Sequence, residues 1–184
     1  MKNRSRQTYD GLTALSALRS KLDAASSLDV IQENGYLFKA HFIFNPPAKP
    51  EQVDELKRSL PVLLPMAYER FLLQYNGALL YYDKEYGQWG FQLYGTADIL
   101  KANETCQQIY KDMWPPQYLA FAKSRGDTDR LILDTSDFVN ERDCWVIDGD
   151  GDDLPHDWTA AAQSFGDWLD RLVVAQGAKY WRWY

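Results

Sequence analysis

The residues best placed to do chemistry are the aspartates between positions 148 and 153. Asp148, Asp150 and Asp152 alternate with glycines, as the first ligands of a calcium loop do. That loop also needs Gly at its sixth position and Glu at its twelfth, where this chain has Asp153 and Thr159. A turn between a strand and a helix explains the glycines equally well. We therefore predict no metal and no cofactor here, and keep a metal-dependent enzyme at this loop as a minor alternative.

A second set of residues has the types of a nucleophile, a base and an acid: Cys144, His156 and Asp157. Nothing in their spacing fixes a common geometry. Cys144 lies in an apolar segment, where a thiol is usually inert. We therefore expect no catalytic residues and predict that the protein is not an enzyme.

The acidic residues are concentrated in one part of the chain. Eleven Asp and Glu lie between Asp127 and Asp157 against two arginines, while the remainder has fifteen acids and eighteen bases. Such a patch steers a basic partner, and the net charge of −6 disfavours nucleic acid. A solvated face that keeps the protein soluble is the alternative explanation. The predicted partner-binding acids are Asp127, Asp129, Asp148, Asp150, Asp152 and Asp153.

Aromatic residues flank a predicted hairpin loop at residues 83–87. Tyr82 and Tyr86 are candidate partner-binding residues, because aromatic side chains beside a polar rim make good interface anchors. The alternative is that these rings fill the core. The sequence therefore leaves both roles open.

The elements that position these residues follow from apolar periodicity. Tyr68, Phe71, Leu72 and Tyr75 form one stripe of a helix that ends at Gly77. Strands are predicted at residues 36–44, 78–82, 89–94, 118–122, 130–134 and 144–147. Further helices are predicted near residues 15–25, from Pro50 onward, after a turn within residues 95–112, and at about 159–175. Residues 148–153 are predicted to form a loop.

The chain length and composition favour one cytoplasmic domain of 184 residues with a large aromatic core. No apolar run reaches the roughly 20 residues needed to cross a membrane, and no signal peptide is recognisable. We divide the domain into a helix-strand extension at 1–45, a core at about 49–175 and a docked aromatic tail at 176–184. The oligomeric state is not predicted.

The order of several short motifs resembles the SUKH superfamily, which contains the Smi/Knr cell-wall-assembly regulators and many bacterial immunity proteins. Leu64-Pro65, Tyr68, Phe71-Leu72 and Asn76-Gly77 follow one family motif, and Gln92 to Gly95 follows another. The Gly126-Asp127 turn and the pattern from Ala162 to Leu169 follow two more. The resemblance covers about residues 49–175.

This resemblance implies an α+β fold with a mixed, mostly antiparallel sheet packed by helices and no catalytic centre. It also implies an immunity protein that binds and neutralises a toxin domain, often a nuclease, so the expected partner is a basic toxin domain. The alternative that it leaves open is a regulatory scaffold of the cell-wall-assembly type.

Overall fold

Each strand of the sheet pairs with the next strand along the chain. The computed structural model describes residues 9–136 and 144–183, and these residues form an eight-stranded antiparallel sheet in the order β1 to β8. The strands are β1 (Ser27–Ile31), β2 (Leu37–Phe44), β3 (Ala78–Asp83), β4 (Phe91–Leu93), β5 (Tyr118–Ser124), β6 (Arg130–Asp134), β7 (Trp145–Gly149) and β8 (Thr159–Ala162). The α+β class predicted from the sequence is confirmed.

Helices cover both faces of this sheet. They are α1 (Leu12–Ser20), α2 (Pro50–Ser59), α3 (Met66–Gln74), α4 (Ile99–Tyr110) and α5 (Phe165–Val174). Four of them, α1, α2, α3 and α5, pack on one face, which we call the inner face, and share the large core, to which α4 contributes its first residue, Ile99. On the other, outer face, α4 packs through Cys106 and Tyr110 on a smaller cluster. Within the described residues, no helix is long and apolar enough to cross a membrane.

Side chains of β6 alternate between the inner core and the outer cluster, so one strand contributes to both. Leu131 and Leu133 lie in the inner core, whereas Ile132 between them lies in the outer cluster. Successive side chains of a strand point to opposite faces, so a strand buried on both sides is continuously apolar. The predicted strand at residues 130–134 is confirmed, and its three apolar residues are all fully buried.

The residues of the first family motif hold the inner core together. The buried hydroxyl of Tyr68 has one proton to donate and lies 2.5 Å from the backbone oxygen of Tyr94 and 3.1 Å from that of Phe121, both of which are placed to accept it. Gly77 has φ +91°, and a Cβ there would lie 2.9 Å from the backbone nitrogen of Gly95. Only glycine fits this close approach of two chain segments without strain. The motif therefore has a structural role.

Two parts of the secondary-structure prediction were wrong near the C-terminus. The predicted helix at 159–175 is a strand, β8, followed by α5, because residues 159–162 pair with β7 and Ser164 begins the helix. The side-chain oxygen of Ser164 accepts a hydrogen bond from the Asp167 backbone nitrogen, as a helix N-cap does. The predicted loop also starts later, since Asp148 and Gly149 belong to β7.

The N-terminal part contributes more to the sheet than the sequence indicated. β1 was not predicted, yet it pairs along its length with β2, from Ser27 opposite His41 to Ile31 opposite Leu37. β4 is shorter than predicted, because Trp89 precedes the strand and is exposed. Residues 27–44 thus supply two strands of the same sheet as the rest of the chain.

Candidate functional site

Successive strands are antiparallel, so the connections between them alternate between the two ends of the sheet. The connections at residues 32–36, 84–90, 125–129 and 150–158 meet at one end, and we call this the turn end. Backbone contacts tie neighbouring connections together: the Arg125 nitrogen donates to the Gly90 oxygen at 2.8 Å. The topology therefore collects residues that are far apart in sequence.

A glycine makes one of these contacts possible. A Cβ on Gly126 would lie 2.1 Å from the backbone oxygen of Gln88, and Gly126 has φ +89°. The turn between β5 and β6 therefore lies directly against the hairpin between β3 and β4. Any side chain at this position would push the two turns apart.

The C-terminal residues 176–183, which we call the tail, also reach the turn end. The Gln176 side-chain oxygen accepts a hydrogen bond from the Ile31 backbone nitrogen at 2.9 Å. The Trp181 ring packs against the rings of Phe91 and Trp168, with centroids 6.0 and 6.4 Å apart. These contacts fix the tail on the inner face beside the turns.

Two cations of the tail are surrounded by four of the predicted partner-binding aspartates. The Lys179 ammonium lies 2.8 Å from Asp127 and also contacts Asp129. The Arg182 guanidinium lies 2.9 Å from Asp129, 2.5 Å from Asp148 and 3.1 Å from Asp150. We call these six residues, Asp127, Asp129, Asp148, Asp150, Lys179 and Arg182, the ion network.

The pKa values in the ion network favour its charged form. Burial opposes ionisation of Asp129, but hydrogen bonds from the Gly151 backbone nitrogen and from Lys179 hold its pKa below the usual range. The hydrogen bond to Asp148 raises the pKa of Arg182, although burial acts in the opposite direction. The contact between Asp129 and Arg182 is therefore an ion pair at neutral pH.

Burial divides the predicted acids into two groups. Asp129 and Asp148 are only 5% and 4% exposed, and both are paired within the ion network. Asp152 and Asp153, in contrast, are exposed on the connection between β7 and β8. Only an exposed carboxylate is available to a partner while the tail is docked. Three acids of the patch, Asp137, Glu141 and Asp143, lie outside the described residues.

The aromatic candidates also differ in exposure. Tyr86 is 67% exposed at the tip of the hairpin, and Trp89 is 49% exposed beside it. Tyr82 is half-buried, with the Arg125 guanidinium 5.5 Å from its ring centre. Tyr86 and Trp89 therefore have free aromatic surface, whereas the ring of Tyr82 is partly covered.

A groove of about 820 Å³ separates the tail from the hairpin. Tyr36 and Trp89 supply exposed aromatic surface on its walls, and Arg125, Asp127 and Lys179 supply charges. The groove connects the exposed aromatics with the rim of the ion network. It gives the turn end a concave surface that a partner side chain can enter.

The geometry does not assemble either of the catalytic sets considered from the sequence. Asp148 and Asp150 both contact Arg182, and within the described residues no group of three or more His, Cys, Asp or Glu is arranged to hold a metal ion. Cys144 precedes β7 and His156 follows it, so one strand length, roughly 16 Å, separates them. The two side chains therefore cannot share a hydrogen bond.

Sequence reasoning missed Lys179, Arg182 and Arg125 as residues of this end. The available signal was the pair of cations in an otherwise aromatic tail. Buried acids need such partners, because an unpaired buried carboxylate is strongly unfavourable. Nothing in the sequence, however, indicated which acids the tail would reach.

These features define a class of α+β protein: a sheet of sequential antiparallel strands, helices on both faces, and turns and a tail gathered at one end. The chain belongs to the SMI1 / KNR4 family (SUKH-1), whose family model matches residues 47–171. The resemblance inferred from the motifs is thereby confirmed. The chain is also similar to the uncharacterized protein YnaB of Bacillus subtilis (strain 168), with 28% identity over 142 residues, 77% of this chain and 88% of that protein.

Proposed function

We propose that this protein is a non-catalytic cytoplasmic binding protein of the immunity type, which neutralises a basic, nuclease-type toxin domain. The partner docks on the turn end. The observation that carries the proposal is the group of exposed acidic and aromatic side chains that the sheet topology brings to this end. Membership of the SUKH-1 family supports a binding role, since the family resemblance implies no catalytic centre.

The exposed part of the turn end has the features of a recognition surface. Asp152 and Asp153 lie beside Leu154, which is 43% exposed, and Tyr86 and Trp89 lie on the 84–90 connection at the same end, with the 125–129 connection between the two groups. Aromatic and aliphatic anchors with charges around them are typical of protein interfaces. The negative loop would attract a basic surface such as the substrate cleft of a nuclease and speed association.

The buried acids have a different role in this proposal. Asp129 and Asp148 fix the tail, and through it the groove wall, so that the surface is already formed before the partner arrives. A preformed surface loses less conformational entropy on binding. Direct contact is expected from Asp152, Asp153 and Tyr86, with Asp127 in the wall of the groove and Tyr82 beside Arg125.

Co-expression with the product of the adjacent gene tests the proposal. We expect the two proteins to purify as a complex and the binding protein to restore growth when the neighbour is toxic. A variant that changes Asp152 and Asp153 to Lys should lose both effects. If the neighbouring gene encodes no toxin and no basic protein co-purifies, the immunity role is wrong, and the scaffold alternative becomes the better explanation.

A further inference from the structure

A crevice on the outer face of the sheet collects positive charge in this acidic protein. It lies between α4 and strands β4 to β6, has a volume of about 250 Å³, and is lined by Lys101, Lys123 and Arg130. Within the described part of the chain, none of these three cations forms an ion pair. Asp98 is the one carboxylate among the lining residues. The crevice therefore has an excess of positive charge, although the chain carries a net charge of −6.

The strand register forces two of these cations together. Gln92 is paired with Lys123, and Lys123 is paired with Arg130, so three polar side chains lie side by side on one face. Like charges directly opposite each other on neighbouring strands destabilise a sheet. An anion between Lys123 and Arg130 would turn this repulsion into attraction.

The cations are also held in place by the surrounding structure. One terminal nitrogen of Arg130 donates to the Thr128 backbone oxygen at 2.9 Å, which orients the guanidinium; its other donors have no hydrogen-bond partner among the residues that the structure describes. Lys123 and Arg130 are half-buried, and Lys101 reaches the same space from α4. Partial burial strengthens their attraction for an anion, because solvent screens such charges less.

We propose that this crevice binds a small phosphate-bearing ligand. Guanidinium and ammonium groups match phosphate oxygens with charge-assisted hydrogen bonds. The volume suits one or two phosphate groups, and the negative charge of the whole chain opposes binding of a polynucleotide. The site lies on the outer face, whereas the ion network lies with the tail on the inner face, so the proposal does not depend on the immunity role.

Calorimetric titration of the full chain with inorganic phosphate and with pyrophosphate, at constant ionic strength set by sodium chloride, tests this site. We expect saturable binding of one ligand per chain. Lys123→Gln should weaken it about tenfold, the effect of one charged hydrogen bond. Lys21→Gln, which removes the same charge from an exposed position outside the crevice, should leave the affinity unchanged.

Asp98→Asn provides a test that a misfolded variant cannot pass. Asp98 precedes α4 without making a side-chain capping hydrogen bond, so its replacement leaves the helix start intact. Removing its negative charge should strengthen binding severalfold. Absence of saturable binding of either probe, an unchanged affinity in Lys123→Gln, or weaker binding in Asp98→Asn would overturn the proposal.

Discussion

The Nε atom of Arg182 lies 2.5 Å from a carboxylate oxygen of Asp148, 34 positions earlier in the chain. This contact joins the tail to the last residues of β7, in the part of the sequence richest in acids. The other carboxylate oxygen of Asp148 is buried and has no hydrogen-bond partner within the described residues. The negative charge of Asp148 therefore depends on Arg182 for compensation.

Replacing Arg182 by Met should destabilise the protein. The substitution keeps an apolar stem but leaves Asp148 and Asp129 buried without this cation, so we expect the free energy of unfolding to fall by about 2–3 kcal/mol. Urea denaturation at neutral pH measures the change. Arg58→Met is the matched control, since Arg58 is exposed on α2 and, among the described residues, its side chain bonds only to the Asp54 backbone oxygen. Equal losses in the two variants would show that the ion network does not stabilise the fold.

The ion network should also make stability depend on acidity. The pKa of Asp129 is lowered in the folded protein. As the pH falls past the ordinary carboxyl pKa of about 3.9, Asp129 therefore takes up a proton in the unfolded chain before it does so in the folded protein. The stabilisation from Asp129 is present above that value and is lost as the pH falls through the folded pKa.

Asp129→Asn isolates this contribution. We expect the difference in urea midpoint between the parent protein and the variant to shrink as the solution is taken from about pH 6 to about pH 2.5. A difference that stays constant over this range would mean that Asp129 ionisation does not support the folded state.

Reversing the charge of the exposed loop should slow partner association. Changing Asp152 and Asp153 to Lys removes negative potential at the turn end, so the association rate should fall severalfold at low salt and the effect should diminish as salt screens it. Stopped-flow or surface-based kinetics measures the rate. Asp54→Lys with Glu55→Lys makes the same charge change on α2 and should have a smaller effect. Equal slowing in both variants would indicate a general effect of net charge.

Gly126 and Gly87 offer a comparison between close contact and backbone strain. Both have positive φ, but a Cβ at Gly87 has no atom within 4 Å, whereas at Gly126 it lies 2.1 Å from the Gln88 oxygen. Gly87→Ala should cost about 1 kcal/mol from strain alone. Gly126→Ala should cost at least ~2 kcal/mol more, because the turns must separate. Similar losses, measured by urea denaturation, would mean that the contact between the two turns is easily relaxed.

Apolar periodicity in the sequence was sufficient to predict much of the fold. Tyr68, Phe71 and Leu72 marked α3, and the alternation from Phe38 to Phe42 marked β2, because burial selects residue types at fixed spacings. β8 was missed because its sequence, one threonine and three alanines, has no strand pattern and depends on pairing with β7. Such pairing is a long-range property that local propensity does not encode.

The candidate site was only partly predictable for the same reason. The concentration of aspartates was visible in the sequence, but not their division into paired, buried groups and exposed groups. That division depends on where Lys179 reaches the buried Asp129, 50 positions away. It also depends on strand register, which sets Arg130 beside Lys123, whereas its sequence neighbour Asp129 precedes β6 and pairs with Arg182 of the tail.

The sequential strand order gathers the proposed recognition residues on connections at one end of the sheet. Each hairpin connection joins two strands that already lie next to each other, so its length and composition are not needed to bring distant segments together. Exposed residues of one connection can therefore change while the strand pairing stays the same, provided that contact residues such as Gly126 and Asp150 are kept. If the turn end binds the partner as proposed, exchanging residues 152–154 between relatives should transfer binding preference, while Asp150 keeps its contact with Arg182.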